Sequence, residues 1–106
     1  MTGYSVFVSP HARLDVIDAV EWYEEQQVGL GSDFAEAYSQ IQDRIQSNPH
    51  QFPRFGRQYY RALFSRFPYA VYFQIVHEEQ LIDILAVKHQ HRSPRHILWS
   101  LRRNRG

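Results

Sequence analysis

The sequence predicts an α+β domain of two layers in the order β-αα-βββ-α. A helical hairpin packs on one face of a four-stranded, mainly antiparallel sheet. Three observations predict it. Two apolar stripes of helical period lie between residues 10 and 48, on either side of a glycine-rich break. Three alternating β-type runs joined by short polar links follow between residues 59 and 88. One more β-type run precedes the helices, at residues 4–8. A hairpin with one apolar face has to bury that face, and the sheet is the layer available to it.

The elements follow in order. Tyr4-Ser5-Val6-Phe7-Val8 reads as a short strand. Ser9-Pro10 supplies a cap and a proline at the first helical position, where its missing N–H is not needed. Ala12, Val16, Ala19, Val20 and Tyr23 then form one stripe, with Asp15, Asp18, Glu21 and Glu25 opposite. Gly29-Leu30-Gly31 breaks the helix. A second helix is expected from near Ser32, with Asp33 and Glu36 suited to the positive end of its dipole. Its stripe is Leu30, Phe34, Ala37, Tyr38, Ile41 and Ile45, and Asn48-Pro49 ends it. So short a connection makes the two helices an antiparallel hairpin. The stripe Val16, Val20, Tyr23, Phe34, Tyr38, Ile41 and Ile45 is expected to be buried. Residues 49–57 read as loop. Strands are expected at Tyr59–Phe64, Tyr69–Val76 and Leu81–Lys88. Ser93-Pro94 announces a short terminal helix over 94–103, followed by a frayed basic tail at Arg102-Arg103-Asn104-Arg105-Gly106. The whole of 1–106 is read as one domain.

Charge divides the chain sharply. Residues 1–53 hold eight carboxylates against two cations, a balance of −6, and residues 54–106 hold ten cations against three carboxylates, a balance of +7. The formal net charge of +1 conceals this. Such asymmetry points to an anionic or acidic partner for the second half. All the cations but Lys88 are arginines, whose planar forks suit bidentate anion recognition. There is no cysteine, which excludes disulfides and thiolate metal sites. The start lacks a basic n-region and a long apolar run, and no stretch approaches membrane-span length, so a cytoplasmic protein without a membrane partner is expected. His89, His91 and His96 have no carboxylate after Asp83 to accompany them, so no metal and no cofactor is expected.

The sheet face away from the hairpin is expected to stay partly open. Arg61, Arg66, Lys88 and Arg92 fall on or beside its strands, interleaved with Tyr59, Tyr60, Tyr69 and Tyr72. Guanidinium holds phosphate and rings stack bases, so this mixture is a candidate single-stranded nucleic-acid platform. The target- or anion-binding candidates are Arg57, Tyr60, Arg61, Arg66, Lys88, Arg92, Arg95 and Trp99. If the chain cuts RNA, the candidates are Arg61, Arg66 and Arg92 as cations, and His89 or His91 as base, oriented only if Asp83 reaches.

These residues carry a resemblance to the RelE/ParE superfamily, the toxins of type II toxin–antitoxin modules. It spans residues 4–103. It rests on Trp22-Tyr23, on Gly29-Leu30-Gly31 with Phe34, on Asn48-Pro49 and Phe52-Pro53, and on Tyr60-Arg61-Ala62. It continues in Arg66-Phe67-Pro68-Tyr69 with Tyr72, and in Ile84-Leu85-Ala86-Val87 followed by His89, Arg92 and Pro94. The resemblance implies a β-αα-βββ fold. It also implies a cognate antitoxin whose acidic or amphipathic segment masks the basic surface, with an exposed strand edge as a further place of attachment.

Two modes of action are found among the proteins it resembles. RelE-type members cleave mRNA in the ribosome, and ParE-type members poison DNA gyrase. RelE-type sites use several lysines, or a Glu with a His, and a tyrosine near the C-terminus. This chain has Lys88 alone, no tyrosine after Tyr72, and Trp99 in the terminal helix. Phe67-Pro68-Tyr69 and the His89, Arg92, Pro94 spacing look ParE-like. The reading is therefore a growth-inhibiting toxin that binds DNA gyrase without chemistry of its own. The alternative is a metal-independent, ribosome-dependent endoribonuclease.

Overall fold

The computed structural model describes residues 3–103. Its elements are β1 (Ser5–Val8), α1 (Pro10–Gln26), α2 (Leu30–Ser47), β2 (Arg54–Phe55), β3 (Tyr59–Leu63), β4 (Tyr69–Val76), β5 (Leu81–His89) and α3 (Pro94–Arg103). Single 3-10 turns occupy Pro49–Gln51 and His77–Glu79. The strands form one sheet in the order β1-β5-β4-β3-β2. β1 runs parallel to β5, and every other neighbouring pair is antiparallel. The expected architecture is present, with a correction: the sheet has five strands, not four. The extra strand lies in the segment expected as loop. Arg54 and Phe55 pair with Tyr60 and Tyr59, and Pro53 O accepts from Arg61 N at 3.0 Å. Pro53 has no N–H to extend that ladder, so the strand stays two residues long.

The hairpin follows the sequence signals closely. Ser9 Oγ accepts from Ala12 N at 3.1 Å and donates to Leu85 O at 3.3 Å, fastening the start of α1 to β5. The second helix begins two residues before the expected Ser32. Glu24 explains this: its carboxylate reaches from α1 to accept from Gly29 N at 3.1 Å and Gly31 N at 2.9 Å. It supplies the cap that Gly29 lacks. Gly31 is required there, since a Cβ would stand 2.7 Å from Val20 O.

The hairpin covers one sheet face. Phe34, Ile41 and Ile45 are buried with Ile82, Ile84, Val71 and Phe73. Phe34 is the hub of an aromatic cluster with ring centroids 4.9–5.5 Å from Phe64, Phe67, Tyr69 and Tyr23. Burying a side chain of that size stabilises the fold by about 1.5–3 kcal/mol. Val16, Val20, Tyr23 and Tyr38, expected buried, are half-buried. The fully packed residues of α1 are the alanines Ala12 and Ala19. These let the helix lie close on β5 and leave the larger residues beside them at the margin.

The opposite face is the larger correction, because α3 covers much of it. Ile97 and Leu101 pack on Tyr59, Ala70, Tyr72, Leu85 and Ala86, with Leu98 and Phe55 at the border. Ser93 caps this helix, its Oγ accepting from His96 N at 3.1 Å. The expected tail at 102–106 is settled only in part. Arg102 and Arg103 form the last turn of α3, and residues 104–106 lie outside the described residues.

Candidate functional site

Two motifs some twenty residues apart in sequence meet at the end of β5. Gln90 N donates to Pro68 O at 2.9 Å and Gln90 Nε2 to Tyr69 O at 3.2 Å. These bonds seat the loop after β5 on the Phe67-Pro68-Tyr69 corner. Phe67 anchors the corner in the core, and the rings of Tyr69 and His89 meet edge to face at 5.3 Å. From this base the chain presents His89, His91, Arg92, Arg95 and His96. Further along α3 it presents Trp99 and, a turn beyond, Arg103, whose guanidinium lies 4.8 Å over the Trp99 ring. The described residues of this stretch, 89–103, contain no carboxylate.

His89 is held in one form. Its Nδ1 accepts from His91 N at 3.2 Å. The neutral ring therefore carries its proton on Nε2, and neither nitrogen offers a free lone pair. Arg92 N donates to His89 O at 3.1 Å, and the Arg92 guanidinium donates to His96 Nε2 at 3.3 Å. Among the described residues no carboxylate hydrogen-bonds to any of these three imidazoles. Asp83, the hoped-for orienter, sits six residues back along β5, about 20 Å away at strand rise. It accepts instead from Gln74 Nε2 at 3.2 Å.

A cleft of about 310 Å³ borders this surface, lined by Asp15 and Trp22 of α1, Tyr69, Lys88, His89 and Arg92. Trp22 is half exposed and forms the wall facing His89. The sequence reading gave Trp22 no role in the site. The available signal was its position, off the apolar stripe that ends at Tyr23. Burial pushes the Tyr69 phenol above its ordinary range, Arg92 opposing and Asp15 reinforcing the shift, so it stays a neutral donor. A second cleft of about 150 Å³ lies between Trp99, His11, Asp15 and Lys88. Both clefts share the Asp15–Lys88 pair as floor.

The remaining candidates are dispersed. Lys88 Nζ is engaged with Asp15 Oδ1 at 3.0 Å. Arg66 pairs with Asp33 of α2 at 3.1 Å and lies 5.3 Å over the Phe67 ring, on the hairpin side. Arg61 is half-buried, 5.4 Å over the Phe55 ring and opposite Tyr72 in the ladder. Burial pushes the Tyr72 phenol up, and Arg61 beside it opposes the shift. Arg57 is exposed in the turn between β2 and β3, its carbonyl accepting from Arg54 at 2.6 Å. Gly56 of that turn has φ +70° and abuts Leu98 of α3, which brings Arg57 to the edge of the same covered face.

The tyrosine platform is not assembled. Tyr60 is 7% exposed and stacks on Phe73 under the hairpin, while Tyr59 and Tyr72 are buried beneath α3. Tyr60 is thus corrected from a ring offered to a target to a core residue. Strand alternation sends Tyr59 and Tyr60 to opposite faces, and each face finds a helix to cover it. Among the described residues no group of three or more His, Cys, Asp or Glu side chains is placed to hold a metal ion. No described helix is long and apolar enough to cross a membrane.

A hairpin over a mixed sheet in this order is the β-αα-βββ arrangement expected of the RelE/ParE superfamily. Residues 6–94 match the family model of the ParE toxin of the type II toxin–antitoxin system parDE. The chain belongs to that family, and membership implies a cognate antitoxin. No curated protein matches this sequence.

Proposed function

We propose that this toxin arrests growth in the cytoplasm by binding DNA gyrase, and that it performs no ribonucleolytic chemistry. The observation that carries the reading is the His91 N to His89 Nδ1 hydrogen bond. It supports a binding role because it engages Nδ1 of His89, one of the two candidate bases, and among the described residues no carboxylate hydrogen-bonds to the ring of the other, His91. Cleavage through a ribose 2′-OH needs a base and an acid in addition to cations. Here the cations are present, while Lys88 is paired and no tyrosine follows Tyr72. Gyrase as the target rests on the likeness to ParE-type toxins. Arg92, Arg95 and Trp99, all exposed beside one another, form the proposed contact surface. The antitoxin would mask the same surface through acidic residues.

The test is brief induction in cells, with mRNA 5′ ends mapped and plasmid supercoiling measured in parallel. Altered supercoiling without codon-positioned cuts is the expected result. Prompt cuts that disappear in His89→Ala, with supercoiling unchanged, would overturn the reading in favour of a ribosome-dependent endoribonuclease.

A further inference from the structure

Far from the basic surface, three segments remote in sequence bring an imidazole pair together. His50 lies in the 3-10 turn after α2, and His77 in the turn between β4 and β5. Their ring centroids are 5.7 Å apart with planes 16° from parallel, and the Tyr4 hydroxyl lies 3.5 Å from His50 Nε2. Both histidines are exposed, and Glu78 and Glu79 follow His77 directly. Arg54, the cation on the nearby strand β2, is turned onto Tyr60 and the Arg57 carbonyl.

We propose that His50 and His77 form a binding site for a borderline divalent transition-metal ion of the copper, nickel or zinc class. Imidazole is a preferred ligand of these ions. Metal–nitrogen bonds of about 2.0–2.1 Å place two ligating nitrogens about 3 Å apart. Side-chain rotation has to converge the two nitrogens from the observed ring spacing, and the exposure of both rings leaves room for it. Water completes the coordination. The other close pair, His89 and His91 at 4.9 Å, is the poorer site. There one nitrogen already accepts a backbone N–H, and Arg92 adds a repelling charge. An ion at His50 and His77 ties the turn after α2 to the β4–β5 turn, so it stabilises the folded chain by mass action.

The experiment is thermal unfolding of the full chain in EDTA and then in Ni²⁺ or Cu²⁺ at pH 7.5. His50→Gln, His77→Gln and a His89→Gln/His91→Gln double variant are measured alongside. Since all four positions are exposed or half-exposed, the EDTA midpoints check that each variant folds. A saturable rise on the order of 5–10 °C is expected in the parent. It should vanish in either single variant and survive in the double variant. Copper-induced broadening of NMR signals should centre on residues 4, 50 and 77. No rise in the parent, an equal rise in the single variants, or a rise lost only in the double variant each overturns the proposal.

Discussion

Asp15 of α1 joins the acidic half of the chain to the basic half through one residue pair. Its Oδ1 lies 3.0 Å from Lys88 Nζ, and its Oδ2 accepts from Val87 N at 2.9 Å. The two side chains are 16% and 21% exposed, so the pair is well shielded without being fully dry. β1 pairs with β5 only as far as Ile84; beyond that point Ser9 Oγ donates to Leu85 O and Asp15 accepts from Val87 N. Removing the carboxylate leaves a shielded ammonium and a backbone N–H without their partner. Asp15→Ala is therefore expected to cost about 2–4 kcal/mol in urea unfolding. Asp15→Asn retains an acceptor for Val87 N and is expected to cost less. Equal costs for both would show that the Val87 bond contributes little.

Alkaline unfolding reports on Tyr38. Burial raises its phenol from the ordinary 10.0 to about 12, with Arg13 opposing, and its hydroxyl donates to Gln42 Oε1 at 2.6 Å. The sign follows directly: the folded state holds the proton more tightly than the unfolded chain does. The stabilisation is complete below pH 10 and is lost as pH rises from 10 towards 12. Tyr23, Tyr69 and Tyr72 are also shifted upwards. Tyr38→Phe should thus flatten the decline in stability over that window without abolishing it, the difference being on the order of 2 kcal/mol by pH 12. A variant whose stability curve runs parallel to the parent's would refute the assignment to Tyr38.

The turn before β3 sets how closely α3 seats on the sheet. Gly56 has φ +70°, and a Cβ there would stand 2.9 Å from Leu98 Cδ2. Gly56→Ala therefore combines left-handed strain with a contact that a leucine side chain can partly relieve. A loss of about 1–2 kcal/mol is expected. Adding Leu98→Ala should recover part of the steric share, so the double variant should be more stable than the two losses summed. Strict additivity in a double-mutant cycle would mean that α3 does not rest on this turn.

How legible these features were in the sequence depended on how local their causes are. Ser9-Pro10, Ser93-Pro94 and the stripe through Phe34 and Ile45 act within one element, and each element they announced is present. The strand at Arg54–Phe55 was not legible. Two residues cannot show a period, and their pairing depends on Tyr59 and Tyr60 beyond the turn. The covering of the second sheet face was missed for a related reason. Ile97 and Leu101 were visible, but nothing in a ten-residue segment says which surface it will fold back upon. The tyrosines were read as offered because they interleave with Arg61, Arg66, Lys88 and Arg92 along the strands, the mixture of a stacking platform. Glu24, Asp15 and the His50–His77 pair act across 5 to 73 residues of sequence, and no spacing rule reaches that far.

The surface assignment turns on whether Trp99 is a packing residue or a contact residue. Its ring is 53% exposed, with the Arg103 guanidinium 4.8 Å above it. The apolar anchors of α3 are Ile97 and Leu101, which are buried on the sheet face. Trp99→Ala should therefore lower folding stability by less than about 1 kcal/mol, in the range of surface substitutions. Ile97→Ala should cost about 2–5 kcal/mol, the usual range for a large-to-small core change. Growth arrest should respond in a different pattern. An exposed indole flanked by arginines has the composition of an interface anchor, and truncating such a residue typically costs about 2 kcal/mol or more in binding, roughly thirtyfold in affinity. Arg92→Ala and Arg95→Ala should act mainly on association rate and on its salt dependence, because exposed charges are screened within about 8–10 Å at physiological salt. The measurement is gyrase binding and toxicity for each variant beside its unfolding midpoint. Trp99→Ala with an unchanged midpoint and undiminished binding would remove the indole from the contact surface and leave the arginines alone to account for it.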